Sequence, residues 1–292
     1  MSRAFDSLHP AVSFVFFLCA VGFSMCCMNP VMLLISFVSS LLLLFVLTGR
    51  KSLKYLLFSF PAAAAVAAVN TAFNHRGATI LLYVNGNPIT LESIVYGTAS
   101  GIMLMSVIIW FACLNRVMTS DKLIYLFARV SPSLSLLFSM ILRFVPKMKR
   151  RARQIASAQK CSGAAAAKTA DRVKNSLSAV VILISWSFED AADTADSMKC
   201  RGYGLPGRSV FYKYSLALKD ISVLSAIILF AAFSAAGCIN GAVYVAYFPA
   251  YTSAAGGGFA FFTYAAYAVM LNIPLGLCLT EELRWCFLKS KI

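Results

Sequence analysis

Residues 221–280 contain no Asp, Glu, Lys or Arg. A helix of about 20 mostly apolar residues crosses the hydrocarbon of a bilayer. The stretch therefore holds two crossings, roughly 221–240 and 259–280, with Pro249 and the glycines 256–258 marking an outside connection between them. Four more apolar runs fill the first part of the chain, at 11–28, 31–48, 55–73 and 93–114. With 60% hydrophobic and 13% charged residues in a chain of 292, there is more apolar side chain than a soluble core of this size hides.

The connections are equally informative. Asn29-Pro30 is a turn between the first two runs. The run 11–28 exceeds the roughly 7–15 residues of a secretory signal core, so a transmembrane hairpin is expected there and not a cleaved leader. Residues 74–92 carry the turn steps Asn85-Gly86 and Asn87-Pro88 and read as an ordered external loop with room for a short hairpin. Basic residues collect on the cytoplasmic side of membrane proteins. With six spans, Arg3, the cluster Arg50, Lys51 and Lys54, the block 115–220, and the tail residues Arg284, Lys289 and Lys291 all fall on one side. Arg76 alone falls on the other. Both termini are expected in the cytoplasm, and the net charge of +15 is read as membrane topology instead of nucleic-acid binding.

Residues 115–220 differ from the rest, holding 18 of the 26 basic and seven of the 11 acidic residues. From Leu134 through Leu137, Phe138, Ile141, Leu142, Val145, Met148, Ala152, Ile155 and Ala156 the apolar positions recur at helical spacing. Pro146 is expected to kink or restart that helix. Lys147, Lys149, Arg150, Arg151 and Arg153 then make a basic face suited first to anionic lipid headgroups, with partner docking as the alternative. A second helix is expected over about 170–201, with Val173, Leu177, Val180, Val181, Ile184, Phe188, Ala191, Ala192, Ala195 and Met198 as its apolar stripe. Residues 163–167, Gly-Ala-Ala-Ala-Ala, separate the two. The organisation is thus an N-terminal membrane region (1–114, four spans), a block of amphipathic cytoplasmic helices (115–220), and a C-terminal membrane region (221–292, two spans and a short tail).

Several chemistries are disfavoured. Gly163 to Thr169 resembles a phosphate loop but lacks its second glycine and a preceding strand. No HExxH or GxSxG motif occurs, and ionisable groups are nearly absent from the spans, which counts against a proton-coupled carrier. A self-sufficient secondary transporter or channel remains the alternative, although Pro61, Asn70 and Asn272 are few for a midplane site. An intramembrane enzyme would need a catalytic set that is not found. The nine cysteines show no CxxC or His–Cys cluster and read as small apolar side chains, with neither metal nor disulfide framework expected.

The stretch ADSMKCRGYG, residues 195–204, ends the second amphipathic helix on Arg201 and Gly202. Locally this is a good helix stop, because glycine accepts a left-handed backbone and Arg complements the dipole. The same stretch resembles the Ala-Asp-x-Met-x-Ala-Arg-Gly-Tyr pattern of the transmembrane T component of energy-coupling factor transporters, a family that includes the Q-type subunits of cobalt transporters. RFVPKMKRRARQIASAQKCSG (143–163) resembles that family's Arg-Phe-x-Pro segment and the motif after it. NPVMLLISFV, ITLESIVYG and LKDISVL fit its layout in order.

The resemblance implies an all-α integral membrane protein with about six transmembrane helices and amphipathic cytoplasmic coupling helices. It implies a non-catalytic subunit, holding no cofactor or metal, in the cell membrane of a prokaryote. Its partners would be two ATP-binding-cassette ATPases, which bind ATP and Mg²⁺, a substrate-binding membrane S component, and lipid. The cargo would be a vitamin or a transition-metal ion. Each of two short motifs would dock one ATPase. The second is Cys200-Arg201-Gly202, with Cys in place of Ala. The first aligns with Cys161-Ser162-Gly163, where Ser162 replaces the arginine. Either Lys160 supplies that charge or the first docking contact is weaker. Arg143, Pro146, Asp196 and Met198 would support the coupling helices.

Overall fold

The computed structural model describes residues 8–74, 77–84, 87–162, 169–206, 217–249, 251–253 and 257–289. Arg3, Arg76, the Asn85-Gly86 step, residues 163–167 and Lys291, all used above, lie outside them. The chain divides into two compact units, Met1–Leu123 with Tyr214–Ile292, and Ile124–Lys213.

The first unit is built from apolar helices whose starts are written in short polar residues. Helix α1, Pro10–Cys26, opens on His9, whose ring accepts from Ala11 N at 3.2 Å. Asn29 caps α2, Pro30–Thr48, by accepting from Val31 N at 2.9 Å. In both, proline takes the first helical position, where its missing N–H costs nothing. Gly49, at φ +60°, ends α2 and leads through a 3₁₀ turn, Gly49–Lys51, into α3, Ser52–Phe73. A short antiparallel hairpin of β1, Ile80–Val84, and β2, Asn87–Thr90, precedes α4, Leu91–Val117. Helix α8, Leu218–Ile239, and α9, Gly258–Lys289, complete the unit around a two-residue strand pair, β3, Val245–Ala246, with β4, Thr252–Ser253. The charged residues after Thr280 do not end α9, because charge alone does not break a helix.

Trp110 anchors the core of this unit. Its ring meets Phe16 and Phe17 edge-on at 5.8 and 6.2 Å, and its Nε1 donates to Ser36 Oγ at 2.9 Å. Leu43, Leu44, Ile109, Ile227 and Met270 pack around it, fully buried. Helices α3 and α4 approach most closely at two glycines. A Cβ at Gly97 would lie 2.8 Å from the Ala67 carbonyl, and one at Gly101 would lie 2.9 Å from that of Ala63. Small residues give membrane helices this closeness where no hydrophobic force separates lipid from protein. Buried serines bond back to their own helix, as Ser40 to Phe37 O and Ser59 to Leu56 O. Asn70 donates to Ser100 Oγ at 2.7 Å, and Asn272 to Ser39 Oγ at 3.3 Å. These polar groups are spent on helix contacts.

Outside this core many described apolar side chains are largely uncovered. Leu57 is 78% exposed, Phe58 77% and Phe261 71%. Water does not tolerate so continuous an apolar surface, whereas hydrocarbon solvates it. Among the described residues four helical stretches are long and apolar enough to cross a bilayer: Pro30–Phe73, which holds α2 and α3, Leu91–Val117, Leu218–Ile239 and Gly258–Thr280. Helix α1 is a shorter apolar helix. The protein is an all-α membrane protein with several apolar helices.

The two ends of this unit differ. At one, buried Asp220 accepts from Ala217 N at 3.0 Å and from His9 N at 3.3 Å, tying the start of α8 to that of α1. Lys122 Nζ donates to Val117 O at 3.0 Å, meeting the negative end of α4. At the other end, Tyr247 OH donates to Met28 O at 2.5 Å. Burial, with Tyr251 and Tyr96 nearby, pushes that phenol up to about 12, so it stays a donor.

The second unit is a helical hairpin. Helix α5, Ser120–Val130, leads into α6, Pro132–Cys161, and α7, Thr169–Cys200, follows. Helix α6 runs through Pro146 without restarting. Proline removes one backbone hydrogen bond, and the unbroken turns on both sides of a 30-residue helix hold it across that loss. Most of the apolar stripe read from the sequence on each helix does not join the pair. Val173, Leu177, Val181, Ile184 and Phe188 are exposed, as are Leu137, Ile141 and Val145. The helices meet through Met148 of the α6 stripe together with Lys147, Arg151 and Gln159, against Asn175, Trp186, Ser187 and Asp190 on α7.

Candidate functional site: the ends of the helical hairpin

Helix α7 ends in a fully hydrogen-bonded stop. Gly202, at φ +78°, follows the cap residue Arg201. Gly202 N donates to Lys199 O at 2.9 Å, and Tyr203 N donates to Met198 O at 3.0 Å. This pair of bonds is the Schellman arrangement, which satisfies carbonyls that a helix end otherwise leaves open. Arg201 is the last residue before the reversal, and it is exposed. Among the described residues no carboxylate lies within ion-pair distance of it. Its guanidinium is carried on a rigid backbone, and a planar fork of donors suits a carboxylate-lined groove.

Arg201 and Gly202 border a cleft of about 850 Å³ between α6 and α7. Arg143, Phe144, Met198 and Tyr203 share its wall, so the structure brings Arg143 and Met198 to the Arg201 end. Asp196 points elsewhere, paired with Lys199 at 3.6 Å on the exposed side. Pro146 lies inside α6, clear of the cleft wall.

The other motif sits at the far end of the hairpin. Cys161 is the last residue of α6, and Ser162 is its cap, donating from N to Ala158 O at 2.9 Å. Lys160, Cys161 and Ser162 are exposed, and Gly163 lies outside the described residues. By position Ser162 is the counterpart of Arg201, since each follows a cysteine that ends its helix. Lys160 stands two residues earlier, which at 3.6 residues per turn is about 200° around the helix. Twenty-five residues of α6 separate Cys161 from Leu136, which shares the cleft with Arg201. At about 1.5 Å per residue, the two motifs stand about 38 Å apart along the hairpin.

Sequence reasoning missed what holds the hairpin closed. Trp186 lies under two cations, Lys147 Nζ at 4.9 Å and Arg151 Cζ at 4.7 Å from its ring centre, and Lys147 also pairs with Asp190. Two members of the expected lipid-facing basic face, Lys147 and Arg151, thereby reach onto α7, although they remain exposed like Lys149, Arg150 and Arg153. The signal was present as two matching i,i+4 spacings, 147 with 151 and 186 with 190, which place each pair on one helix face. Each cation–π contact is worth about 0.5–1 kcal/mol at an exposed site. With the lost ring packing, Trp186→Ala should weaken the closed hairpin by about 2 kcal/mol, and amide exchange around Met148–Arg151 should rise about 10- to 30-fold by mass spectrometry. Trp186→Phe, which keeps a π face, should recover most of the protection.

Residues 1–212 match the profile of the CbiQ family, described as a cobalt transport protein. The chain belongs to the CbiQ cobalt transport family. The CbiQ match takes in the first four helices and nearly all of the second unit, and it stops short of α8 and α9. A curated relative, the energy-coupling factor transporter transmembrane protein EcfT of Bacillus selenitireducens, is 35% identical over 102 residues. That alignment covers 34% of this CbiQ family chain and 38% of the relative's length.

Proposed function

We propose that this chain is the transmembrane energy-coupling subunit of an ATP-driven importer. It links two ATP-binding-cassette ATPases to a substrate-binding membrane subunit that carries a vitamin or a transition-metal ion. The observation that carries the reading is Arg201, exposed and without a carboxylate partner among the described residues, on a backbone fixed by the Gly202 reversal. Membership of the CbiQ family and the likeness to an EcfT protein support it. The ATPases bind and hydrolyse ATP with Mg²⁺, and this chain does no chemistry of its own. Its second unit lies in the cytoplasm with both termini, and six helices cross the membrane of a prokaryotic cell. Cys200-Arg201-Gly202 docks one ATPase, and Lys160-Cys161-Ser162-Gly163 docks the other about 38 Å away. Ser162 stands in the cap position and Lys160 points to the opposite side, so the first contact is the weaker of the two. Arg143 and Met198 brace the Arg201 end, Asp196 holds Lys199 beside it, and Pro146 lies midway along the coupling helix.

The test is purification of the tagged chain in mild detergent from its native cells, followed by native mass measurement and an ATPase assay. Two ATPase subunits per chain and ATP hydrolysis are expected. A chain that purifies alone and moves solute in liposomes without ATP would be a secondary carrier, and the coupling reading would fall.

A further inference from the structure

Helices α1 and α8 finish side by side, and a cysteine stands at each finish. Cys27 is the residue after α1, and Cys238 lies in the last turn of α8. Their Sγ atoms are 2.9 Å apart across 211 positions of sequence. Carbon atoms in contact sit about 3.5–4.0 Å apart, and sulfur is the larger atom. Among the described residues this is the only pair of cysteines whose sulfurs touch.

The surrounding bonds fix the end of α1 that carries Cys27. Asn29 Nδ2 donates to Val243 O and to Tyr264 OH, each at 3.0 Å. Tyr247 donates to Met28 O, and the Phe23 and Tyr267 rings meet edge-on at 5.8 Å. Each contact ties the end of α1 to α9 or to the segment between α8 and α9. Helix α9 in turn packs on α8 next to Cys238, where a Cβ on Gly237 would lie 2.3 Å from Thr263 Oγ1, so contacts other than the sulfurs' own bring them together.

We propose that Cys27 and Cys238 are joined as a disulfide that staples α1 to α8. The proposal rests on the topology above, which puts this end of the unit outside the cell, where disulfides persist. The oxidant is a protein dithiol oxidase in its disulfide form. One cysteine thiolate attacks a sulfur of that disulfide, breaking the S–S bond and forming a mixed disulfide, and the expelled thiolate takes up a proton. The second cysteine, as thiolate, attacks the mixed disulfide at the first cysteine's sulfur. The Cys27–Cys238 bond forms, and the oxidant leaves as a dithiol. The two cysteines lose two electrons and two protons, and the oxidant gains them.

Full-length protein in its native membranes is treated with N-ethylmaleimide before any reductant, then solubilised, digested and weighed. A linked peptide pair two hydrogens lighter than the two thiol peptides is expected. Cys26, exposed beside the pair, should carry the label. Reduction before labelling should add two maleimides. Cys27→Ser and Cys238→Ser should each leave the other cysteine labelled without reductant. Wild-type protein should melt at a lower temperature after reduction, and Cys27→Ser should not respond. A C-terminal green fluorescent protein fusion, which glows only in the cytoplasm, separates the two claims. Free thiols with a glowing tail overturn the bond and leave the topology standing. Free thiols with a dark tail overturn both. A bond with a dark tail keeps the staple and reverses the membrane sides.

Discussion

Arg201→Glu should remove at least one ATPase from the purified complex and lower ATP-driven uptake about 100-fold or more. Truncating one member of a desolvated charge pair costs about 2–5 kcal/mol, much of it from the partner charge left unpaired. Reversing the charge adds repulsion to that loss, and each 1.4 kcal/mol is about a factor of ten. The fold should not respond, because Arg201 is exposed and borders the hairpin's open end. Circular dichroism and detergent melting should therefore match wild type. Arg201→Lys keeps the charge without the planar fork and should fall between the two. Ser162→Arg should act in the opposite direction, since the cap position there has the backbone geometry but no cation. Titration of purified ATPase onto the chain in nanodiscs reads all three variants. Wild-type stoichiometry and affinity for Arg201→Glu would remove Arg201 from the interface.

The apolar helices were legible in the sequence because their signal is long and uninterrupted. The runs 11–28, 31–48, 55–73 and 93–114 became Pro10–Cys26, Pro30–Thr48, Ser52–Phe73 and Leu91–Val117, and the uncharged 221–280 became the spans of α8 and α9. Asn29 and Pro30 marked their boundary because a cap and a fixed φ act locally. The pairing of α6 with α7 was not legible. The apolar stripe of α7 is a long periodic signal, yet most of it is left exposed, and α6 meets α7 through Trp186, Ser187 and Asp190. Periodicity finds a face but does not say what covers it. The cysteines divide in the same way. Cys113 and Cys278 are buried as small apolar side chains, whereas Cys26, Cys161 and Cys200 are exposed. The contact of Cys27 with Cys238 depends on helix ends that only the fold brings together. At the candidate site the Arg201-Gly202 stop was readable, because a helix end needs a left-handed residue wherever it occurs. The distance to Ser162 required the structure, because only the pairing of α6 with α7 sets Arg201 beside Leu136.

Substitutions at Gly202 should separate conformation from space. Its φ of +78° lies in the left-handed region, and a Cβ there would meet only Leu205, at 3.1 Å. The left-handed backbone costs an ordinary L-residue about 1–2 kcal/mol, and a β-branched residue more. Gly202→Ala should therefore weaken ATPase binding about tenfold, because the helix end spends most of its time out of the geometry that presents Arg201. Gly202→Val should lose nearly as much as Arg201→Glu. Asparagine enters the left-handed region readily and replaces glycine at helix ends, so Gly202→Asn should keep binding within about threefold of wild type, a difference of about 0.7 kcal/mol. The ordering Asn, Ala, Val is what a purely conformational role requires. If the glycine were needed for close approach of the ATPase, Asn, the larger side chain, should do worse than Ala. Measured affinities of the three variants for the ATPase pair, with amide exchange over 195–205 to report the stop itself, decide between these. Weakened binding in Gly202→Ala without faster exchange would place the loss at the partner's surface and not in the turn.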